Sequence, residues 1–478
     1  MLTFMDAPTA LPRSAATSPQ AGLCAHIAQA RVALAHPVDG AFLGVFRIAI
    51  GLVLVISLVR FMALGWVDEL LLQPRFLFTF WGFGFVRPLS SGPMHAFFVV
   101  LVGLAACFTT GLFFRPAAVL FSVGFAYLQL LDVTNYLNHY VLLGLLVAIL
   151  AVSPAGRVLS LDARRDPARR LDEVPAWVLY ALRVQVAAVY FHAGLAKLDV
   201  DWLLHAQPLS IWMAARWELP LIGPVLRLPF APLAMSWAGF LFDCTVPLWL
   251  SFRRTRKLAY GVVLAFHAMT SALFPIGLFP VIMVVSALIF FPPEAYRCLV
   301  DRLGAARGPG SDEPSPEGLS RAALALFVVF VALQIVVPMR SWLYGGNVRW
   351  HEQGMRFAWK VMVREKNGSV TYRVVDPITG KEREVPPRKY LTARQERDFA
   401  TQPDLILQLA HRIAQDHTRE GVVPRVYVDA TASLNGRVAA RLIDPNIDLA
   451  TVSDGVRRAA WILPAPSGPP RRILVPPR

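Results

Sequence analysis

The segment YFHAGLAKLDVDW, Tyr190–Trp202, sets one lysine at the end of a long apolar run. Trp177–Ala196 is apolar except for Arg183, Gln185 and His192. An amine stripped of water at such a place has its charged form disfavoured, so Lys197 could act as a base. The competing reading is a lysine that snorkels to the headgroups from a helix end. Asp199 and Asp201 follow closely, and pairing with either would keep Lys197 charged. Residues two apart on a helix point to different faces, which makes Asp199 a poor partner if the helix continues. A second place is Asn138-His139, inside LDVTNYLNHY. The connection is short enough to hold its imidazole at membrane depth or just above, as a proton carrier or as an interfacial histidine in contact with water. A third is His267, in AFHAMTSALFPIG, with Thr270 and Ser271 one turn on. It either lines a polar site or joins two helices of a bundle. Arg47 in the first apolar run, and Arg183, Gln185 and His192 in the fifth, read as glue facing a bundle interior, with Asp243 as one partner.

Elements that position such residues must be membrane helices. Hydrophobic residues make up 55% of the 478 and charged residues 17%, against about 25% charged in soluble domains. The net charge of +15 would suggest nucleic acid in a soluble chain. Here Lys and Arg lie between apolar runs, as expected of loops beside anionic headgroups, and no nucleic-acid partner is expected. A span needs about 20 mainly apolar residues. The candidates are Phe42–Ala63, Met94–Phe113, Pro116–Leu131, Tyr140–Val152, Pro175–Ala196, Pro232–Ser251, Leu258–Leu273, Ile276–Phe291 and Ala322–Pro338. Phe76–Phe85, rich in Trp, Phe and Gly, is too short to cross and reads as interfacial or re-entrant.

With the N-terminus inside, alternate connections hold fourteen Lys and Arg on the cytoplasmic side against five on the other. That asymmetry puts the C-terminal domain on the outer, periplasmic or lumenal, side. The expected fold is therefore a polytopic α-helical membrane protein of about nine spans with a small mixed, β-rich outer domain. Residues 1–37 read as a disordered cytoplasmic tail without a cleaved signal peptide. Residues 38–338 form the membrane domain, with a Gly/Pro/Ser-rich linker at 304–318. Residues 339–463 form the outer domain and 464–478 a Pro-rich, frayed tail. In the outer domain Phe357–Arg364 and Ser369–Asp376 alternate around Asn367-Gly368, which predicts a hairpin. Asp404–Gln415 predicts a helix, and Arg425–Ala430 and Arg437–Asp444 predict strands about Asn435-Gly436. Cys24, Cys107, Cys244 and Cys298 have neither metal-ligand spacing nor a paired framework, so neither a zinc site nor a structural disulfide is expected. No nucleotide-binding or hydrolase motif stands in a usable context.

These segments resemble vitamin K-dependent gamma-glutamyl carboxylase and its bacterial relatives, which share the horizontally transferred transmembrane (HTTM) domain. The matching pieces are LGVFRIAIGLVLV (Leu43–Val55), LDVTNYLNHYVLLGLL (Leu131–Leu146), YFHAGLAKLDVDW, FHAMTSALFPIGLF (Phe266–Phe279), RFAWKVMV (Arg356–Val363) and VYVDATASLNGRVAARLIDPNID (Val426–Asp448). The resemblance implies that Lys197 is the base that starts reaction of the reduced vitamin, that His139 supports the chemistry, and that Asn138, His267, Asp199, Asp201 and Trp202 belong to the pocket. It implies reduced vitamin K or a related quinol, with dioxygen and carbon dioxide as co-substrates and no metal. The vitamin would leave as its epoxide, and a glutamate-containing peptide would be carboxylated at the γ-carbon, a lyase-type carboxylation coupled to epoxidation. Partners are then the lipid bilayer and a peptide or protein substrate. Two alternatives stand beside it: a quinol epoxidase that does not carboxylate, and a non-catalytic transporter or proton-relay protein on the same helical domain. The family's paired lysines read Ala196-Lys197 here, so the upstream one is missing.

Overall fold

The computed structural model describes residues 19–220, 222–302, 318–418 and 423–471. The expected linker falls outside these except for Gly318, and the last part of the Pro-rich tail, 472–478, also lies outside. In the membrane part the elements are α1 (Pro19–Ala35), β1 (Pro37–Asp39), α2 (Ala41–Ala63), α3 (Ser91–Thr110), α4 (Phe114–Leu130), α5 (Asn138–Val152), β2 (Glu173–Pro175), α6 (Trp177–Leu195), α7 (Ala231–Ser251), α8 (Arg256–Leu273), α9 (Phe279–Ala287), α10 (Pro293–Arg302) and α11 (Arg321–Met339). Every apolar run is helical, as a backbone in lipid must satisfy its own hydrogen bonds.

The count of nine spans is not confirmed. Among the described residues five helices are long and apolar enough to cross a membrane: α2, α3, α6, α7 and the one beginning at Arg321. Counting two bent pairs as one span each raises the number to seven: α5 with Ala155–Arg165, bent by 63°, and Phe279–Phe290 with Pro293–Arg302, bent by 103°. Helix α4, at 17 residues, is short of the roughly 20 a span needs, and α8 opens on Arg256 and Lys257. The expected disordered tail is also corrected from Pro19 onward, where α1 begins.

Helix α2 packs against α3, α5, α9 and α10, and α6 packs against α5, α7 and α11. Strands β1 and β2 pair antiparallel, Pro37 with Pro175, and tie the start of α2 to that of α6. The expected partner of the buried arginines is corrected as well. The Arg47 guanidinium donates to the carbonyls of Ala155, Val158 and Leu159, and Arg183 donates to those of Ile289, Phe290 and Phe291. Both satisfy carbonyls freed where a helix ends or breaks, and neither uses Asp243.

The outer domain comprises β3 (Gly368–Val375), β4 (Glu382–Val385), α12 (Ala393–Phe399), α13 (Pro403–His417), β5 (Arg425–Ala432) and β6 (Ala440–Arg441). They form an antiparallel sheet in the order β4-β3-β5-β6. Alternation along β3 buries Val370, Tyr372 and Val374, and α13 buries Leu405, Leu409 and Ile413 in the same core. Phe78 and Val133, from connections of the membrane domain, complete that core. The Phe76–Phe85 segment is thus an irregular strap. The Gln408 side chain accepts from the Thr79 amide at 3.0 Å and donates to its carbonyl at 2.9 Å.

The expected Phe357–Arg364 strand does not form. Phe357, Trp359 and Met362 have φ of 59°, 53° and 54°, left-handed values that no strand accommodates. The segment instead folds back on the membrane domain, burying Ala358, Trp359 and Val363. The hairpin joins β3 to β4 through Asp376–Lys381; the turn at Asn367-Gly368 that the sequence suggested is not one. Of Arg437–Asp444 only Ala440 and Arg441 are strand. The tail is held as far as Arg471, whose carbonyl accepts from the Gln207 side chain at 3.3 Å.

Candidate active site

Helix α6 ends at Leu195, and the turn that follows places Lys197 against α7. Its amide donates to the Gly194 carbonyl at 2.9 Å. The Nζ atom lies 2.7 Å from Asp243 Oδ2 and 3.2 Å from the Ala193 carbonyl, with the Trp202 ring centroid 5.2 Å away. Lys197 is 5% exposed and Asp243 6%. Two helix surfaces come this close because Gly194 has no side chain. A methyl built there would meet Cys244 Sγ at 2.5 Å, which a real contact does not tolerate.

The pair forms one wall of a cavity of about 120 Å³. Apart from Thr270 and His267 the remaining lining is apolar or aromatic, including Tyr190, Trp202, Phe266 and Phe279, with Val361 and Met362 contributed by the outer domain. His267 also faces it. Its Nε2 is 3.2 Å from the Tyr190 hydroxyl, and its Nδ1, buried, has no partner among the described residues. Buried polar atoms are normally paired, so an orphan in a cavity wall is available to a ligand.

The residues proposed from sequence separate into three groups. Lys197, His267 and Trp202 meet at the cavity; the Trp202 indole nitrogen donates to the Ser236 carbonyl at 2.8 Å, which fixes its ring. His139 stands behind it. Its ring is 5.8 Å from the Phe279 ring, which is also 5.8 Å from that of His267; Phe279 and His267 line the cavity and His139 does not. Asn138 accepts at Oδ1 from the Tyr136 hydroxyl at 2.8 Å, and that hydroxyl accepts from the Phe357 amide at 2.7 Å. Burial pushes the Tyr136 phenol up to about 12, so it stays a donor.

Asp199 and Asp201 are not in the cavity and do not pair with Lys197. Asp199 meets Arg349 at 2.7 Å, and Arg349 also donates to the Ala196 carbonyl at 3.1 Å. Asp201 receives both Arg437 nitrogens, at 2.7 and 2.6 Å, and the Asn435 amide at 3.0 Å. Burial alone would raise the Asp201 carboxyl, but the hydrogen bonds from Arg437 and Asn435 prevail and hold it below its ordinary value. The segment bearing Lys197 is thus clamped on both carboxylates by the outer domain.

Sequence reasoning missed Asp243 as the lysine's partner. The signal was present: it is the one charged residue between Pro232 and Ser251, and a lone buried acid demands a cation. Tyr190 and Met362 had no such signal. Among the described residues no group of three or more His, Cys, Asp or Glu is placed to hold a metal ion.

The arrangement can exchange a proton between an amine and a carboxylate beside an apolar space that admits little water. Residues 35–294 match the HTTM domain family, and residues 319–468 match the family described as vitamin K-dependent gamma-carboxylase, lumenal domain. No solved structure matches the chain.

Proposed function

We propose that this chain, which belongs to the vitamin K-dependent gamma-carboxylase family, oxidises a membrane quinol to its epoxide and uses that reaction to carboxylate glutamate in a peptide. The observation that carries the reading is the buried Lys197–Asp243 pair in the wall of an apolar cavity.

The residues present fit a reduced quinone. The cavity offers aromatic faces, an unpartnered imidazole nitrogen on His267 and an amine, which suits a flat ring bearing hydroxyls. Reduced vitamin K, when bound with dioxygen, supplies the base strong enough to remove a glutamate γ-proton, and carbon dioxide takes the vacated position. The chain's part is to accept the hydroxyl proton. Lys197 in its neutral form does so, and Asp243 holds the proton that Lys197 gives up and orients the amine. Apolar walls exclude the water that would quench a strong base. His139, one ring removed, supports the site through Phe279 and does not itself meet the ring. On this reading the N-terminus is cytoplasmic and the C-terminal domain faces the periplasm or lumen.

Purified protein given reduced vitamin K, labelled bicarbonate and a glutamate-containing peptide should form epoxide and labelled peptide together. Epoxide without label would leave a quinol epoxidase; neither product would remove the enzyme reading and leave a transporter on the same helices.

A further inference from the structure

Tyr190 is buried in the cavity wall, and the only partner described for its hydroxyl is His267 Nε2, at 3.2 Å. The imidazole is buried too, edge-on to Phe242, Phe266 and Phe279. None of these rings offers it a polar atom, and no carboxylate is among its described partners, so it is held uncharged. A neutral imidazole has one donor and one acceptor, and a phenol has one proton to give. Two arrangements are open. If Nε2 carries the hydrogen and donates to the hydroxyl, the phenol proton has nowhere to go, and Nδ1 shows a bare lone pair. If the hydroxyl donates to Nε2, the phenol proton is used, and the single group left over is an N–H at Nδ1. Each buried polar group left unpaired is a cost, so the second arrangement wins.

Tyr190, Ala193 and Lys197 line the cavity at intervals of three and four residues. That spacing puts them on one face, with Tyr190 and Lys197 about 10 Å apart along the axis. Two hydrogen bonds of about 2.8 Å take up half of such a span, and oxygens on opposite carbons of one six-membered ring fill the remainder. Resting on the quinol reading above, we propose that Tyr190 is a positioning residue. Its hydroxyl holds the His267 imidazole with hydrogen on Nδ1, so that His267 donates to one oxygen of the ring while Lys197 accepts from the other. An oxygen that only has to accept is common to quinol and quinone, so the site binds both.

The test uses the full chain in detergent. Nitrogen NMR of isotope-labelled histidine, with His267 assigned by its loss in His267→Gln, should show Nδ1 of the pyrrole type and Nε2 of the pyridine type in wild type without ligand. The reverse pattern overturns the proposal. In Tyr190→Phe, which keeps the ring 5.7 Å from that of Phe242, the pattern should become mixed. Binding is then measured with menadione and menadiol. Tyr190→Phe should weaken menadione about fivefold, the effect of one neutral hydrogen bond. It should weaken menadiol less, because a hydroxyl can meet either form of the imidazole. Equal loss of both, or the same loss for alpha-naphthol, which has a single oxygen, would make Tyr190 mere packing and overturn the proposal. So would an undiminished effect of Tyr190→Phe in the His267→Gln background, where the imidazole is gone. The NMR pattern is read without ligand or turnover, so its outcome stands apart from whether the protein takes a quinol at all.

Discussion

Lys197 Nζ and Asp243 Oδ2 lie 2.7 Å apart, on chain segments brought together where Gly194 lets α7 approach α6. Both side chains are less than a tenth exposed. Removing one partner strands the other, at about 3–5 kcal/mol. Lys197→Ala should therefore abolish quinol-dependent epoxide formation and lower thermal stability in detergent. Lys197→Met combined with Asp243→Leu should recover the stability without the activity. Turnover near wild type in Lys197→Ala would exclude the base assignment.

His139 acts from behind Phe279, whereas His267 presents an unpartnered nitrogen to the cavity. His139→Ala should cut carboxylation strongly while leaving the KM for quinol close to wild type. His267→Ala should raise that KM. A wild-type carboxylation rate in His139→Ala would demote the residue to packing.

The Arg437–Asp201 contact is bidentate and mostly buried. Arg437→Ala should cost about 3 kcal/mol, read as a lower melting temperature. Epoxide formation should fall too, because the Lys197 segment loses its outer clamp. Arg437→Lys keeps the charge without the fork and should restore only part of either. Full activity in Arg437→Ala would show that the clamp does not position Lys197.

Asp132 accepts from the Gln395 side chain at 2.9 Å, in the joint between the two domains. Burial raises its carboxyl to about 6 from 3.8. The folded state thus binds the proton more tightly than the unfolded chain. Its contribution is complete below about pH 4 and is lost as pH climbs through 6, about 2–3 kcal/mol in all. Melting temperatures of wild type and Asp132→Asn should diverge across that window, the wild type alone declining. Parallel curves would remove Asp132 as the source.

A tag added after Arg478 should be modified by an impermeant reagent in intact cells. Modification only after permeabilisation would reverse the proposed orientation.

Helices were legible because lipid leaves a backbone no alternative; their number was not. Runs such as Tyr140–Val152 and Ile276–Phe291 are apolar throughout, but whether such a run crosses alone or bends into the next is decided by neighbours, as at the 63° and 103° breaks. The lysine was legible from the contrast between one amine and its apolar run. Its carboxylate lies 46 residues away, and helix period says nothing of which α7 residue meets α6. Asp199 and Asp201 were nearer in sequence and were taken by Arg349 and Arg437, partners from another domain. The FAWKVMV alternation reads as a strand because burying every second residue is common to strands and to irregular segments pressed on a surface. The left-handed backbone at Phe357, Trp359 and Met362 leaves no compositional mark.

Val361 and Met362 belong to the part of the chain made last, yet they close the space beside Lys197. A ribosome that has threaded only the helical portion into the bilayer has therefore produced an unfinished vessel. The wall beside Lys197 is complete only once the final segment has been synthesised and folded back onto the helices. A product truncated before Val361 would lack that part of the wall.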